Sequence, residues 1–232
     1  MKIEFCIDSV DGAIAAKKHG ANRVELCSAL NVGGLTPSFG LIKQCAEQGV
    51  EVHVMIRHIE GGFSYSKEDV LIMLQDIKMV KDAGGSGVVF GCLTPQNELD
   101  FESNIDLIEA ARNLALEVTF HRAFDFVKNP TEALTSLINF GVNRILTSGQ
   151  HDKAINGIEN IKALVKQANG EIEIMAGSGV NSSNAVELSE TGIDALHFTI
   201  HKSNSETEAL GMGVRTIIDE EKITSILKEL PF

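Results

Sequence analysis

Short β-type segments alternate with helical segments along the whole 232-residue chain. Eight strands are predicted, at residues 3–8, 23–27, 51–57, 87–91, 117–121, 144–147, 172–176 and 195–199. Helices are predicted between and after them, at residues 10–19, 38–48, 67–83, 105–113, 130–140, 155–168, 182–190 and 219–230. Most of these helical segments end at a glycine, the usual C-terminal cap, just before the next strand. Strands joined by helices run parallel, so this order predicts an α/β fold.

Four of the predicted strands alternate apolar residues with residues that can do chemistry. The reactive residues are Glu4, Cys6, Asp8, Glu25, Cys27, His53, Met55, Arg57, Thr119 and His121. A period of two places all of them on one face of the sheet. Strands of an open parallel sheet read as continuous apolar runs, whereas the lumen of a barrel can be polar near the strand ends. Eight strands with a polar inner face therefore predict a (β/α)8 TIM barrel, with residues 1–232 as a single domain.

The net charge and the spacing of the cysteines limit which partners and which cellular compartment are expected for this protein. A formal net charge of −12 argues against nucleic acid as a partner, because phosphate binding needs a basic surface. Neither a secretion leader nor an apolar run of roughly 18 residues is found, so no membrane contact is expected. The four cysteines show neither C-x-x-C spacing nor the density of a disulfide scaffold. We therefore expect a soluble cytoplasmic protein with reduced thiols.

Three long connections follow predicted strands, at residues 28–37, 58–66 and 203–215. Loops that follow the strands of a barrel lie at its catalytic rim. The first two contain glycines and are candidate lids. The third is polar and weakly patterned, and is expected to be the most mobile part of the chain.

One hypothesis for the rim is a soft-metal site. Cys6 and Cys27 lie at inward positions of adjacent predicted strands, which are about 4.8 Å apart. Thiolate and thioether ligands select Cu(I), with Met55 or Met175 as a supplementary ligand. Zinc would need four ligands, and His53 or His121 would have to join the thiols. The alternative is that the cysteines are small core-packing residues, as most buried free cysteines are.

A second hypothesis is an anion site for a small anionic or phosphorylated ligand. Gly177, Ser178 and Gly179 follow the seventh strand, where barrels often hold phosphate on backbone N–H groups. Ser148 ends the sixth strand, and residues 181–183 could cap the next helix. Arg57 and Arg122 would add positive charge at the same rim. The alternative is an ordinary tight turn.

A third hypothesis is acid–base chemistry at the same rim. His121 ends the fifth strand, and Asp125 follows four residues later as a candidate orienting group. Asp8 and Glu25 supply carboxylates across the lumen. The alternative is that His121 is a core histidine bonded to Glu25.

Seven segments of the chain resemble the CutC copper homeostasis family. They are residues 4–9, 22–28, 33–38, 52–57, 87–95, 118–125 and 144–149, in order through most of the sequence. The resemblance implies a single cytoplasmic barrel that handles copper and associates into a homodimer or another homo-oligomer. The copper ligands proposed for the family correspond to Cys6 and Cys27, the pair reached above from strand positions.

The chain departs from the family pattern at three places on the rim. His58, Ile59 and Glu60 follow Arg57 where the family has R-P-R-G-G, which removes a proline and a basic residue. Ala176 and Ser178 change the family's M-P-G-G-G, and residues 199–202 replace a usual ending with serine and arginine. The thiols, Arg57 and the pair of His121 and Arg122 are retained.

The sequence therefore supports two alternative functions. In the first, the protein binds Cu(I) through thiolates at the barrel mouth. In the second, it is a lyase-, isomerase- or hydrolase-type enzyme that acts on a small anionic or sugar-like metabolite. His121 would then act with a carboxylate from Glu25 or Asp8. No organic cofactor is indicated in either case.

Overall fold

Eight parallel strands close into a barrel in the computed structural model, which describes residues 1–204 and 216–231. The strands are β1 (Lys2–Ile7), β2 (Arg23–Leu26), β3 (Glu51–Met55), β4 (Gly87–Phe90), β5 (Glu117–Phe120), β6 (Arg144–Thr147), β7 (Glu173–Ala176) and β8 (Ala195–Thr199). Each strand pairs with the next, and β8 pairs with β1 to close the circle. The predicted (β/α)8 TIM barrel is confirmed.

Helices follow the strands at the predicted places, with three differences in their limits. They are α1 (Val10–Lys18), α2 (Phe39–Ala46), α3 (Lys67–Asp82), α4 (Phe101–Asn113), α5 (Pro130–Asn139), α6 (Ile158–Ala168), α7 (Ala185–Ser189) and α8 (Glu220–Glu229). Helix α4 begins four residues early because the Asp100 side chain caps the Ser103 N–H at 3.2 Å. A 3₁₀ turn, Ala154–Gly157, precedes α6. Helix α7 is short because the Asn184 side chain accepts from the Asn181 N–H and caps no helical N–H.

A two-stranded antiparallel sheet follows the barrel and was not predicted. It consists of β9 (His201–Ser203) and β10 (Thr216–Ile218). The third predicted rim loop, residues 203–215, lies for the most part between these strands, and its residues 205–215 are outside the described residues. The sheet leads from the barrel mouth back to the start of α8.

The predicted alternation along the strands separates two apolar regions. Residues such as Phe5, Val54 and Phe90 belong to the large core between the barrel wall and the helices. Cys6, Cys27, Met55 and Val89 form a separate small cluster inside the barrel. Among the described helices, none is long and apolar enough to cross a membrane.

Buried charged residues fill the amino-terminal end of the barrel. The Arg23 guanidinium donates to Glu4 at 2.5 Å and to Glu173 at 3.2 Å. The Arg144 guanidinium donates to Glu173 at 3.2 Å and to Glu117, and lies 3.0 Å from His53 Nδ1. Both arginine side chains are 2% exposed, so their charges depend on these partners. The lower half of the polar inner face is therefore a structural network below the site.

Candidate functional site

A cavity of about 730 Å³ opens at the carboxyl ends of the strands. Cys6, Glu25, Met55 and His197 line it from the strands. Residues of the loops after β2, β3, β5 and β7 complete the wall, among them Leu30, Phe63, Phe126 and Val180. The polar inner face of the barrel therefore ends in an open cavity of the size that small-molecule ligands occupy.

Two thiols and a carboxyl group lie together on the β1 and β2 side of the barrel. Ligand atoms of Cys6, Glu25 and Cys27 all lie within 4.8 Å of one another. The Cys27 thiol donates to Glu25 Oε2 at 3.6 Å. A Cβ atom on Gly34 would lie 3.0 Å from Cys27 Sγ, so the loop after β2 passes directly over this thiol. Cys27 is enclosed, whereas Cys6 lines the cavity.

The two thiols differ in their readiness to ionise. The hydrogen bond from Cys27 and the nearby His197 imidazole hold the pKa of the Cys6 thiol well below its usual value, against the effect of burial. The same hydrogen bond, burial and the charge of Glu25 raise the pKa of the Cys27 thiol. Burial also raises the pKa of Glu25 well above its ordinary value. Of the two thiols, Cys6 is therefore the one that ionises more readily.

His197 of β8 lies between this cluster and the buried charged residues at the amino-terminal end of the barrel. This role of the histidine was not predicted from the sequence. Its Nδ1 lies 2.7 Å from Glu4 Oε1, and its Nε2 lies 3.7 Å from Glu25 Oε2. Burial opposes a positive ring, but Glu25, Cys6 and Glu4 together raise the pKa of His197 well above its ordinary value. The signal appears only when β8 pairs with β1, which puts His197 beside Glu4 in register.

His121 of the predicted acid–base group lies in the cavity wall without its predicted partner. Its Nδ1 accepts from the Ala123 N–H at 3.2 Å, so the neutral ring carries its proton on Nε2. That Nε2 is buried and has no hydrogen-bond partner in the described part of the chain. Burial and the charge of Arg57 lower the pKa of His121 to about 3. The cavity wall therefore contains a neutral ring with a buried, unpartnered N–H group.

Asp125 was the wrong choice of orienting group for His121. Its carboxylate accepts from Arg122 Nε at 2.8 Å, from the Thr147 hydroxyl at 2.5 Å and from the Ser148 N–H at 2.9 Å. The alternative bond between His121 and Glu25 is also not found among the described residues. Asp125 instead ties the start of the β5 loop to the end of β6.

Asp8 of the same group turns away from the lumen. Its carboxylate lies 3.1 Å from His201 Nε2 and accepts from the Thr216 hydroxyl at 3.1 Å. Both partners belong to the β9–β10 sheet, which the sequence did not predict. Asp8 therefore anchors that sheet to β1, while Glu25 is the carboxyl group that faces the cavity, with its Oε1 unpartnered among the described residues.

The two arginines of the anion hypothesis are already engaged by the protein. Arg57 donates to the carbonyl oxygens of Val32 at 2.9 Å, Gly34 at 3.0 Å and Gly61 at 2.7 Å, which ties the two predicted lid loops together. Arg122 donates to Asp125 and, at 2.9 Å, to Ser148 Oγ. Ser148 is fully buried and does not line the cavity.

The loop after β7 presents backbone donors, although not at the expected glycine. The Gly177 N–H donates to Thr147 at 3.0 Å and is occupied. In the described part of the chain, the N–H groups of Ser178, Gly179 and Val180 donate to no protein acceptor. All three residues line the cavity. The expected helix cap at residues 181–183 is wrong, because α7 begins only at Ala185.

Gly177 is required for packing, which yields a prediction. A Cβ atom there would lie 2.7 Å from Leu146 Cδ1 and 3.1 Å from His197 Cδ2. We expect Gly177→Ala to lower the free energy of unfolding by about 1 kcal/mol, measured by urea denaturation. Gly62→Ala is the matched control, because an added Cβ at Gly62 meets no atom within 4 Å. Equal effects of the two substitutions would contradict this explanation.

The supplementary metal ligands proposed from sequence fall into two groups. Met55 packs against Cys6 and Cys27. Met175 lies among the buried charged residues at the amino-terminal end of the barrel, where its sulfur is 3.7 Å from an Arg23 nitrogen. His53 bonds to Glu51 and Arg144 in the same region. Met175 and His53 were therefore wrong choices, because their positions on β7 and β3 are one layer below the thiols.

Lys222 is a cavity residue that the sequence did not indicate. It lies in the first turn of α8, is half-buried, and lines the cavity. Burial lowers the pKa of its amino group, partly offset by the charges of Asp219 and Cys6. A lysine near the end of the sequence resembles any solvated helix residue until α8 is placed beside β1.

Comparison with known proteins gives a consistent result. The chain matches the CutC family profile over residues 1–202. A family protein CutC from Glaesserella parasuis serovar 5 is 42% identical over 240 residues, which cover 98% of each chain. One from Bacteroides thetaiotaomicron is 44% identical over 227 residues, covering 94% of this chain and 90% of that protein. A crystal structure described as a copper homeostasis protein CutC, from Streptococcus agalactiae, has a TM-score of 0.80 at 36% identity, covering 85% of this chain and 98% of that chain.

The fold and the site define a (β/α)8 barrel with a thiol-containing cavity at the carboxyl ends of its strands. The chain belongs to the CutC family. The resemblance stated from the sequence motifs is thereby confirmed, and it relates the protein to copper homeostasis.

Proposed function

We propose that this protein binds Cu(I) through Cys6 and Cys27. The observation that supports the proposal is that both sulfur atoms lie within 4.8 Å of each other, with Cys6 lining the cavity and Cys27 enclosed beside it. Zinc–thiolate bonds are about 2.3 Å long, so two thiolates on opposite sides of an ion of similar size lie about 4.6 Å apart. Met55 adds a thioether to the same cluster, and soft sulfur ligands favour Cu(I).

Binding at this pair would require both thiols to lose their protons. Metal ligands must be thiolates, so binding releases protons and weakens in acid. The pKa of Cys6 is lowered and that of Cys27 is raised, so the Cys27 thiol, which donates to Glu25 Oε2 at 3.6 Å, is the harder of the two to ionise.

Substitution of the thiols tests this proposal. We expect Cys6→Ser or Cys27→Ser to weaken Cu(I) binding by about 100-fold, because losing one of two ligands has at least the effect of changing an outer-shell partner. The double variant should bind no Cu(I) in competition with a Cu(I) chelator. Cys45→Ser is the matched control, since Cys45 is buried in the core outside the barrel. An unchanged affinity of the double variant would reject the proposal.

A second function is favoured by the size of the cavity. A volume of about 730 Å³ is far more than one ion needs and lies in the range of small-molecule sites. Both His121 and Glu25 line it, and His121 Nε2 and Glu25 Oε1 are buried without partners in the described residues. We propose that the protein would then act as an enzyme on a small anionic metabolite, with Glu25 as the proton-transferring group and the neutral His121 ring as a hydrogen-bond donor beside it. Asp8, Gly177 and Ser148 take no part, because the protein itself occupies their polar groups.

Thermal stabilisation by metabolites tests the second function. A ligand that binds only the folded protein raises its unfolding temperature by mass action. We expect hits among small phosphorylated and sugar-like compounds with the wild type. A screen without any hit at millimolar concentration would argue for metal binding alone.

Location and assembly are further proposals that the family resemblance implies. A Cu(I) site made of thiolates needs a reducing compartment, so we propose a cytoplasmic location. We also propose a homodimer or another homo-oligomer. The mass of the purified protein in solution, by light scattering, tests the second point directly, and a monomer would overturn it.

A further inference from the structure

Free hydrogen-bond donors line one part of the cavity. They are the Lys222 amino group and the N–H groups of Ser178, Gly179 and Val180, none of which bonds to a protein acceptor in the described part of the chain. Two further donors of cavity residues, His121 Nε2–H and Arg57 Nε–H, are buried without a partner there. Two acceptors that line the cavity, Glu25 and the Cys6 sulfur, belong to the thiol cluster.

The free donors are concentrated on one side. Residues 178–180 follow β7, and α8 brings Lys222 to the neighbouring sector, beside β1. Helix α7, which follows the loop of residues 178–180, packs against α8, which carries Lys222. Arg122 adds positive charge there and holds the loop through Ser178 Oγ at 3.3 Å. Backbone N–H groups combined with fixed positive charge form a typical site for a phosphate or carboxylate.

The opposite wall is apolar and partly aromatic. Leu30 and Val32 follow β2, and the rings of Phe63 and Phe126 lie with their centroids 5.5 Å apart. The Phe63 ring also packs on His121, at 4.9 Å between centroids. A ligand that fills the cavity therefore meets donors at one end and hydrocarbon surface at the other.

We infer that the cavity takes a small organic anion with a planar or apolar body, whose anionic group is held by Lys222 and the N–H groups of residues 178–180. The inference rests on the proposed metabolite-binding function and narrows its ligand class. It also replaces the arginines selected from the sequence, since Arg57 and Arg122 bond to the protein itself.

Phenyl phosphate is a suitable probe, because it joins an anion to a planar apolar body. In calorimetric titrations of the full-length protein, we expect it to bind more tightly than inorganic phosphate or phenol. Lys222→Met should weaken the binding of phenyl phosphate about tenfold, which is the effect expected from the loss of one partly screened charge contact. Lys228→Met is the matched control, since Lys228 is exposed on the same helix, and it should leave the affinity unchanged. Benzoate binding with the same dependence on Lys222 supports the inference with a carboxylate as the anion.

Two outcomes separate this inference from the function on which it rests. If phenol binds as tightly as phenyl phosphate, or if Lys222→Met and Lys228→Met behave alike, the anion assignment is overturned while the cavity still accepts a small molecule. If none of these probes binds the wild type, both the anion assignment and the proposed metabolite-binding function are rejected.

Discussion

Arg23→Met is expected to lower the free energy of unfolding by about 3–5 kcal/mol, the usual cost of breaking a buried ion pair. Arg23 and Glu4 are each 2% exposed at the side chain and are joined at 2.5 Å. Methionine is similar in length and apolar, so the loss measures the Glu4 carboxylate left without its arginine, with His197 as its remaining partner at 2.7 Å, more than an empty space. Urea denaturation followed by circular dichroism measures the change.

Two further variants make this result specific. Lys18→Met removes an exposed pair with Glu220, whose side chains are 61% and 50% exposed, and should cost less than about 1 kcal/mol. Adding Glu4→Gln to Arg23→Met removes the buried charge and should restore part of the stability. If Arg23→Met and Lys18→Met lowered the free energy of unfolding by similar amounts, the buried charged residues at the amino-terminal end of the barrel would not be a source of stability.

The second large effect is a loss of stability in acid that depends on His121. Burial and the charge of Arg57 lower the pKa of this ring from the ordinary 6.5 to about 3. Between these values the unfolded chain binds a proton that the folded protein does not, so stability falls as the pH decreases. For one such group the loss between about pH 7 and about pH 4 is about 3 kcal/mol.

Other groups titrate in different windows or with the opposite sign. The raised pKa of His197 stabilises the folded protein below pH 6.5 and loses this effect only as the pH rises through the folded value. Burial opposes ionisation of Glu4, but His197 and Arg23 lower its pKa to about 2, so its contribution is lost as the pH falls below about 4.5. These two groups are present in both the wild type and a His121 variant, so their effects cancel in the comparison.

His121→Gln isolates the effect of the one ring. Relative to its own stability at pH 7, we expect this variant to lose about 3 kcal/mol less than the wild type by about pH 4. His151→Gln is the control, because His151 is exposed. Urea denaturation at a series of pH values measures both. A His121→Gln curve parallel to that of the wild type would mean that the ring is not buried in its neutral form.

The barrel was predictable because its signals are local. Hydrophobic period, glycine caps and segment length depend on neighbours in the chain, so all eight strands were found within two residues of their limits. The predicted helix limits were wrong where a side-chain hydrogen bond sets the start of a helix. The bond to Asp100 makes α4 longer than predicted, and the bond to Asn184 makes α7 shorter. The closeness of Cys6 and Cys27 was also predictable, since the parity and order of two adjacent parallel strands determine it.

The partners of the functional groups were decided by the tertiary structure. Asp8, Asp125 and Arg57 carry the right chemistry for a site, yet each bonds to a segment that is distant in sequence or was not predicted. His197 and Lys222 enter the cavity only because β8 closes on β1 and α8 packs beside them. The sequence by itself determined the fold and the inward face with its thiol pair, because strand periodicity is a local property. Which of those polar groups remain free to meet a ligand depends on hydrogen bonds between distant segments, and only the folded chain brings these together.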